Sequence, residues 1–412
     1  MNQIDWIADE IKHVCLTYKR RIAGSDSERA CSDYLAEKLR KFSDTVDKED
    51  FFLHPKAFIG SFAFQATCMV VTVVFFFTSL FLHLPILCAI GAAFALLATI
   101  SWVFEYVLYR QCFDFLYPKC ISQNIMAVKK AENETRQHII ICGHSDAAYE
   151  IPFFLKLKIA PIYMMSILGI LGIFYRLTIC LFNTFHPLSG TSAIVFGIIA
   201  GFLLVVDVFF LLFVDWDTIA DGANDNLTGC YIGMSIIKEM NEKGERLKYT
   251  DVCCLITGGE ESGLRGAFAY AKKHRQELLD TNTVVIALDT IHSTDQLMIY
   301  TRGINFTQKN SEEVCELLRK AGTACGVMLP DTDFYFGATD SEAFSRNGIR
   351  AAAICGVHHT PSTYYHTRFD TWNNIDKDCI ALTRNILKES IRLYDEALTT
   401  QNELGLKDDN TA

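Results

Sequence analysis

Two long apolar segments interrupt an otherwise mixed pattern of hydrophobic and polar positions. They cover residues 57–109 and 159–214, and together they contain three charged residues. Neither segment has the 3.6-residue stripe of a surface helix, and a membrane-spanning helix needs about 20 apolar residues. Each segment is long enough for two such helices, with turns at residues 82–85 and 183–190. The pattern therefore predicts four membrane-spanning helices arranged as two hairpins.

Outside these segments, short apolar runs alternate with amphipathic helical patterns. The runs lie at residues 136–142, 252–256 and 284–288 and are rich in Ile, Val and Cys. Continuously apolar strands are typical of a sheet that is buried on both faces. The helical patterns lie at residues 227–243, 264–279, 311–321 and 376–399. This alternation predicts an α/β fold with a mixed, mostly parallel sheet sandwiched by helices, into which the two transmembrane hairpins are inserted.

The hairpins divide the chain into five parts. We expect residues 1–56, 110–158 and 215–412 to form one soluble domain, with hairpins at residues 57–109 and 159–214. Because each hairpin returns the chain to the side from which it came, the three soluble parts share one compartment.

Charge and cysteine content narrow the choice of partners and compartment. The net charge is −10 and no run of five basic residues occurs, which excludes nucleic acid and anionic lipid headgroups as expected partners. The 15 cysteines are scattered and odd in number, which favours reduced, buried thiols over a disulfide framework. The N-terminal residues are amphipathic and lack the apolar stretch of a signal peptide.

Basic residues beside the apolar segments predict the orientation. Those on the side of the soluble parts are Lys56, Arg110, Lys119, Lys156 and Lys158, whereas the hairpin tips offer at most Arg176. Cytoplasmic flanks carry the excess of Lys and Arg, so we expect a multi-pass protein of the cell membrane with its soluble domain in the cytoplasm. Glu105 and Asp207 lie near the soluble-side ends of the second and fourth spans, where we expect them to reach water.

Polar side chains follow each of the three apolar strands. His144 and Asp146 follow the first, Glu260 and Glu261 the second, and Asp289 the third. In parallel sheets ligands bind at the carboxyl ends of the strands, where these clusters meet. Further polar groups lie at residues 221–226 and 365–367. Each cluster alone is typical of a capped turn or a solvated loop, but together they place many charges on one edge. Two divalent cations would compensate those charges.

Seven segments, in this order, resemble one known family. They are RIAGSDSERACSDYLAEKL (21–39), GHSD (143–146), DGANDNLTG (221–229), ITGGEESGLRG (256–266), LD (288–289), TDSEAF (339–344) and YYHTRFDT (364–371). The chain resembles the co-catalytic zinc exopeptidases of the aminopeptidase Y, glutamate carboxypeptidase and transferrin-receptor group. The two membrane hairpins depart from the soluble members of that group.

The resemblance implies a role for each matching residue. Two divalent metal ions, expected to be Zn²⁺, would be held by His144, Asp225, Glu261, Asp289 and His366, with Asp225 shared between them. Glu260 resembles the general base, and Asp146 the acid that orients His144. Tyr365 resembles a residue that polarises the scissile carbonyl, although Tyr364 is adjacent. Asp340 is either a residue that supports a metal ligand or a helix N-cap.

The resemblance favours a membrane-anchored exopeptidase, most simply an aminopeptidase acting on peptides. A transferase of the glutaminyl cyclase type is an alternative and would use one metal ion. A non-catalytic receptor or scaffold relative is another, although all five ligands and the base are present. A transporter with an accessory peptidase is a fourth, and only Glu105, Asp207 and Arg176 would support its polar pathway.

Overall fold

A mixed sheet forms the centre of the soluble part of the computed structural model, which describes residues 2–157, 159–357 and 364–403. Within these residues the sheet has nine strands in the order β1-β2-β6-β3-β7-β11-β8-β10, with β9 beside β8. Its strands are β1 (Thr45–Leu53), β2 (Cys120–Lys129), β3 (Gln137–His144), β6 (Thr250–Thr257), β7 (Val284–Ile291), β8 (Met298–Gly303), β9 (Gln308–Lys309), β10 (Asp331–Asp333) and β11 (Arg350–Gly356). Two further strands, β4 (Tyr149–Glu150) and β5 (Asp215–Ile219), form a small separate sheet.

The helices fall into a soluble set and an apolar set. The soluble set comprises α1 (Gln3–Thr17), α2 (Asp26–Leu39), α5 (Pro152–Lys156), α9 (Thr228–Lys243), α10 (Arg265–Lys273), α11 (Arg275–Asp280), α12 (Glu312–Ala324), α13 (Asp340–Arg346) and α14 (Lys377–Glu403). The apolar set comprises α3 (Ala57–Leu82), α4 (Ile86–Ser101), α6 (Ile159–Phe185), α7 (Gly190–Phe202) and α8 (Leu204–Leu211). A π-helical turn, Trp102–Val107, continues α4, and a kinked turn, Ala223–Leu227, in which Asp225 and Asn226 have non-helical dihedral angles, precedes α9.

The central strands are parallel and buried on both faces. Strands β6, β3, β7 and β11 run parallel, whereas β2 and β8 join them antiparallel. Along β3, Ile139 and Ile141 pack with α1, α2, α9, α12 and α14, and Ile140 and Cys142 pack with α10 and α13. Alternate side chains thus enter two cores, which explains the apolar runs. The expected α/β class, with a mostly parallel sheet between helices, is confirmed.

Four apolar helical segments are long enough to cross a membrane. They are Ala57–Leu82, Ile86–Val107, Ala160–Phe185 and Gly190–Leu211, with mean hydropathies between 2.0 and 2.8. Large apolar side chains cover their outer surface, including Phe81, Ile198 and Phe202, which are 83%, 67% and 69% exposed. A contiguous apolar surface of this size is typical of contact with lipid or another protein.

The charged residues of the apolar helices are paired and do not reach water. Asp207 of α8 is 5% exposed, and its two oxygens lie 2.9 and 2.8 Å from the guanidinium of Arg176 on α6. Glu105 is 1% exposed, accepts the backbone N–H of Phe113 and lies 3.6 Å from Arg265. The expectation that Glu105 and Asp207 are hydrated is therefore wrong. Arg176 lies within α6 and not at a hairpin tip, and Lys158 lies outside the described residues.

Candidate metal centre and active site

The fold brings all the expected metal-site residues together at the carboxyl-terminal ends of the central strands. His144 is the last residue of β3, and Asp289 lies near the end of β7. Glu260 and Glu261 occupy the turn after β6, and Asp225 lies in the kinked turn before α9. The remaining member, His366, lies in the loop before α14. The carboxyl ends of parallel strands thus supply the site, as expected for this class of sheet.

Asp225 lies between the two histidines. Its Oδ1 is 3.2 Å from Nε2 of His144, and its Oδ2 is 3.2 Å from Nε2 of His366. His144 and Asp225 form a group with Asp289, and Asp225 and His366 form a second group with Glu261. A third group joins His144 to Glu260 and Glu261. In each group the candidate ligand atoms lie within 4.8 Å of one another. The first two groups each contain one histidine and one carboxylate of their own, and they share Asp225.

The Glu260–Glu261 turn is fixed by a buried carboxylate. Asp146 is fully buried, and its two oxygens accept the backbone N–H groups of Glu260 and Glu261, each at 3.1 Å. Its Oδ1 also lies 3.4 Å from Nδ1 of His144. The Glu261 carboxylate lies 3.4 Å from Nε2 of His366, whereas that of Glu260 lies 3.7 Å from Nε2 of His144. Asp146 thus contacts His144, as the motif indicated, and in addition fixes the backbone of both glutamates.

Burial and charge shift the pKa values of these groups in opposite directions. Burial raises the pKa of Glu261 to about 8 and, together with the charge of Asp225, raises that of Asp289 to about 7. Burial opposes ionisation of Asp225, but the neighbouring imidazoles of His144 and His366 outweigh it and hold the pKa of this carboxyl below its usual range. Burial also disfavours the charged form of His366, but nearby carboxylates raise its pKa to about 9. Without bound cations, the carboxylates of this site cannot all be ionised at neutral pH.

The donor set fits zinc. Among the described residues, Nε2 of His144, Oδ2 of Asp225 and Oε1 of Glu261 are buried without a hydrogen-bond partner. Imidazole nitrogens and carboxylate oxygens are zinc ligands, and a buried polar atom without a partner is costly unless an ion occupies the site. The residues present are therefore suited to hold divalent metal between them.

The two tyrosines of the last motif point to different places. Tyr365 stacks on His366, with ring centroids 4.1 Å apart, and lines the cavity that contains Asp225 and Glu260. Tyr364 is 1% exposed and stacks on His292, with ring centroids 3.9 Å apart. Of the pair, Tyr365 is therefore the one beside the candidate metal centre.

Asp340 is not a helix N-cap. The N-cap of α13 is Thr339, which forms a capping box with Glu342. The buried carboxylate of Asp340 instead accepts a hydrogen bond from the Thr257 hydroxyl at the end of β6. Asp340 thus supports the strand end that precedes the glutamate turn.

Two buried residues that position the site were not singled out by the sequence analysis. Arg21 is 1% exposed and donates hydrogen bonds to the backbone oxygens of Ser145 (3.0 Å) and Asp221 (2.7 Å). Asp370 is fully buried and accepts the backbone N–H groups of Asn224 and Asp225 at 2.8 and 3.1 Å. Both lie inside recognised motifs, RIAGS and RFDT, and their presence there was the available signal.

Comparisons with known proteins define the class. Residues 209–390 match peptidase family M28. Among solved structures, the chain has the fold of a glutaminyl cyclase from an Acidobacteriales bacterium (TM-score 0.55, 12% identity, 96% of this chain and 95% of that chain covered). It also has the fold of an aminopeptidase from Aneurinibacillus sp. strain AM-1 (TM-score 0.55, 15% identity, 94% and 93% covered). A zinc aminopeptidase from Bacillus subtilis is a third such structure (TM-score 0.54, 12% identity, 94% of each chain covered).

These findings confirm the resemblance to the co-catalytic zinc exopeptidases. The protein has the fold and motif set of that class, and its segment 209–390 matches the model of peptidase family M28. The family match supports a hydrolase. A Zn-dependent exopeptidase from Parabacteroides distasonis ATCC 8503 shares the fold (TM-score 0.54, 13% identity, 94% of this chain and 97% of that chain covered). No curated protein sequence matches the chain.

Proposed function

We propose that the protein is a membrane-embedded zinc aminopeptidase with its active site at the cytoplasmic face. The observation that carries this proposal is the position of Asp225 between His144 and His366, at 3.2 Å from each. A carboxylate shared by two such groups, each with a carboxylate of its own, is suited to hold two divalent ions. His144 and Asp289 would hold one zinc ion and Glu261 and His366 the other.

The neighbouring residues divide the chemistry. Bound zinc would supply Lewis acidity and an activated water. The Glu260 carboxylate lies 3.7 Å from Nε2 of His144, in a group that does not include Asp225. We assign it the role of general base, which accepts the proton of the attacking water and passes it to the leaving amine. The phenol of Tyr365 would donate a hydrogen bond to the scissile carbonyl oxygen. Asp146 accepts the backbone N–H groups of both glutamates and so fixes the turn. The carboxylate of Glu260 then lies beside His144 and that of Glu261 beside His366.

We expect two zinc ions per chain. The number that a variant loses should depend on whether the replaced ligand belongs to one or to both of the groups that contain Asp225. Asp225→Ala removes the shared ligand and is expected to abolish binding of both ions, whereas Asp289→Ala is expected to leave about one. Asp280→Ala, at an exposed position of α11, is the matched control and should retain both. Zinc per chain is measured by mass spectrometry on protein in lipid nanodiscs after equilibration with excess zinc. A wild-type protein that binds one ion or none contradicts the two-ion mechanism.

A glutaminyl cyclase activity is the second candidate, since solved cyclases share the fold over most of the chain. Peptides with N-terminal glutamine distinguish the two functions, because a cyclase releases ammonia and leaves the peptide bond intact. An aminopeptidase releases the N-terminal residue. A chain that binds two zinc ions but converts neither glutaminyl nor leucyl peptides would be a binding protein.

The orientation is also part of the proposal. Lys56, Arg110, Lys119 and Lys156 flank the apolar helices on the side of the sheet. Residues 82–86 and 185–190, at the opposite ends, contain no Lys or Arg. Arg176, which the sequence count assigned to the hairpin tips, is paired with Asp207 inside the bundle. No basic residue then remains to count for the tips, so the excess of Lys and Arg on the side of the sheet supports a cytoplasmic position of the sheet more strongly.

Cysteine labelling in sealed cells tests this orientation. Single cysteines are introduced at His83 or His186 in the hairpin turns and at Lys320 in the sheet domain, after Cys112, Cys120 and Cys325 are replaced by serine. We expect a membrane-impermeant maleimide to label the two hairpin positions in intact cells, and Lys320→Cys only after the membrane is permeabilised. Labelling of Lys320→Cys alone in intact cells would place the active site outside.

A further inference from the structure

The active-site cavity continues into the apolar helix bundle. One cavity of about 250 Å³ is bordered by Asp225, Glu260, Glu261 and Asp289 at one end. Other walls come from α3, the π-helical turn after α4, α6 and α8, with Met69, Trp102 and Ile173 in the lining, and from residues 334–338 of the loop before α13. The candidate metal centre is therefore open toward the interior of the four candidate spans.

The cavity is too deep for an ordinary side chain. On α3 its lining extends from Phe58 to Met69, which is roughly 16 Å at 1.5 Å per residue. That distance is about half the hydrocarbon thickness of a bilayer and exceeds the reach of any of the 20 side chains. A helix, about 10–12 Å in diameter, does not fit a cavity of this volume, whereas a single extended chain does.

Three polar residues along this part of the cavity have hydrogen-bond or ion-pair partners. Gln65 donates to the Ser101 hydroxyl at 3.3 Å, and Ser166 donates to the backbone oxygen of Ile162 at 3.0 Å. Asp207 is paired with Arg176. Most other lining side chains from the spans are aliphatic or aromatic. An apolar occupant has no hydrogen bonds to lose when it enters such a site, whereas a polar occupant would leave its own polar groups without hydrogen-bond partners.

We infer that the bundle cavity binds a long alkyl chain carried by the N-terminal residue of the substrate, which makes lipid-modified peptides the substrate class. This inference rests on the aminopeptidase function proposed above. The aminoacyl carbonyl lies at the metal centre, and the chain extends between α3, α6 and α8. Each buried methylene adds binding energy, so long chains are preferred over short ones.

A chain-length series tests the inference. Alanyl, norleucyl and 2-aminododecanoyl amides of a fluorogenic coumarin are compared in lipid nanodiscs, because detergent alkyl chains would compete for the cavity. We expect kcat/KM to rise at least 100-fold from the norleucyl to the 2-aminododecanoyl substrate. Equal kcat/KM values across the series overturn the inference and leave the aminopeptidase function standing.

A pair of variants on α6 separates the cavity from simple partitioning into lipid. Ile170 lines the cavity, whereas Ile167 is 52% exposed on the outer surface of the same helix. Ile170→Trp is expected to lower the long-to-short ratio of kcat/KM at least tenfold, and Ile167→Trp to leave it unchanged. Ala66→Leu narrows the cavity from α3 and replaces Ile170→Trp if that protein does not fold. If Ile170→Trp and Ile167→Trp had the same long-to-short ratio of kcat/KM, the inference would be contradicted.

Binding gives a readout that does not depend on turnover. Titration calorimetry is expected to show tighter binding of 2-aminododecanoic acid than of norleucine to wild-type protein, and loss of that difference in Ile170→Trp. If no aminoacyl amide is hydrolysed while this difference persists, the aminopeptidase function fails and the alkyl-chain cavity stands. Cleavage of N-dodecanoylglycine in place of the aminoacyl amides would overturn the substrate class inferred here.

Discussion

Replacing Glu260 with glutamine is expected to lower kcat by about two to four orders of magnitude while both zinc ions remain bound. Glutamine has the size of glutamate but cannot accept the proton of the attacking water. Glu260 belongs to neither of the two groups that share Asp225, so its substitution leaves each group complete. The measurement is kcat on a leucyl amide together with zinc per chain.

Glu261→Gln is the matched control, since it makes the same change one residue away in the same turn. Asp146 accepts the backbone N–H of both residues at 3.1 Å, so backbone support is equal. Because the Glu261 carboxylate lies 3.4 Å from Nε2 of His366, we expect this variant to lose zinc along with activity. Near-native turnover by Glu260→Gln would show that another group is the base.

Breaking the ion pair inside the helix bundle is expected to destabilise the protein by about 3–5 kcal/mol. Asp207→Asn leaves the guanidinium of Arg176, which is 1% exposed, without a counter-charge among apolar helices. The double variant Arg176→Met/Asp207→Leu removes both charges and is expected to recover most of the lost stability, because neither charge then remains buried and unpaired. The free energy of unfolding in nanodiscs is the quantity to compare.

An exposed ion pair on α12, outside the apolar helices, provides the control for Asp207→Asn. Glu312 lies 2.8 Å from Arg319, and its side chain is 63% exposed. Glu312→Gln removes one carboxylate, as Asp207→Asn does, but solvent screens the loss, so we expect a change below about 1 kcal/mol. If Asp207→Asn and the double variant were equally unstable, packing of the two side chains and not their charge would explain the effect.

The central strands were predictable because both of their faces are buried. Strands β3, β6 and β7 are continuous apolar runs and were found at nearly their observed bounds. Strand β1 was missed because its sequence, TVDKEDFFL, is largely polar at a sheet edge, and β11 because RAAAICG is rich in alanine. The helical pattern at residues 264–279 is interrupted at His274, between α10 and α11, a break that periodicity does not reveal.

The candidate metal site was predictable as far as it lies in short motifs. Residues that position those motifs act across long sequence separations: Arg21 and Asp221 are 200 positions apart, and Asp225 and Asp370 are 145 positions apart. A local pattern carries no information on such pairs. The pairing of Arg176 with Asp207 was hidden for the same reason, since each residue alone is an isolated charge in an apolar run.

The strands that flank each hairpin pair with each other. Leu53 of β1 lies opposite Cys120 of β2 across the first hairpin, and Glu150 of β4 lies opposite Asp215 of β5 across the second. For the strands on either side, each apolar hairpin is therefore equivalent to a tight turn. Loop-closure entropy rises only slowly with length, and a hairpin already folded in lipid brings its own ends together. The fold can thus accept long apolar segments at these positions without any change in strand register.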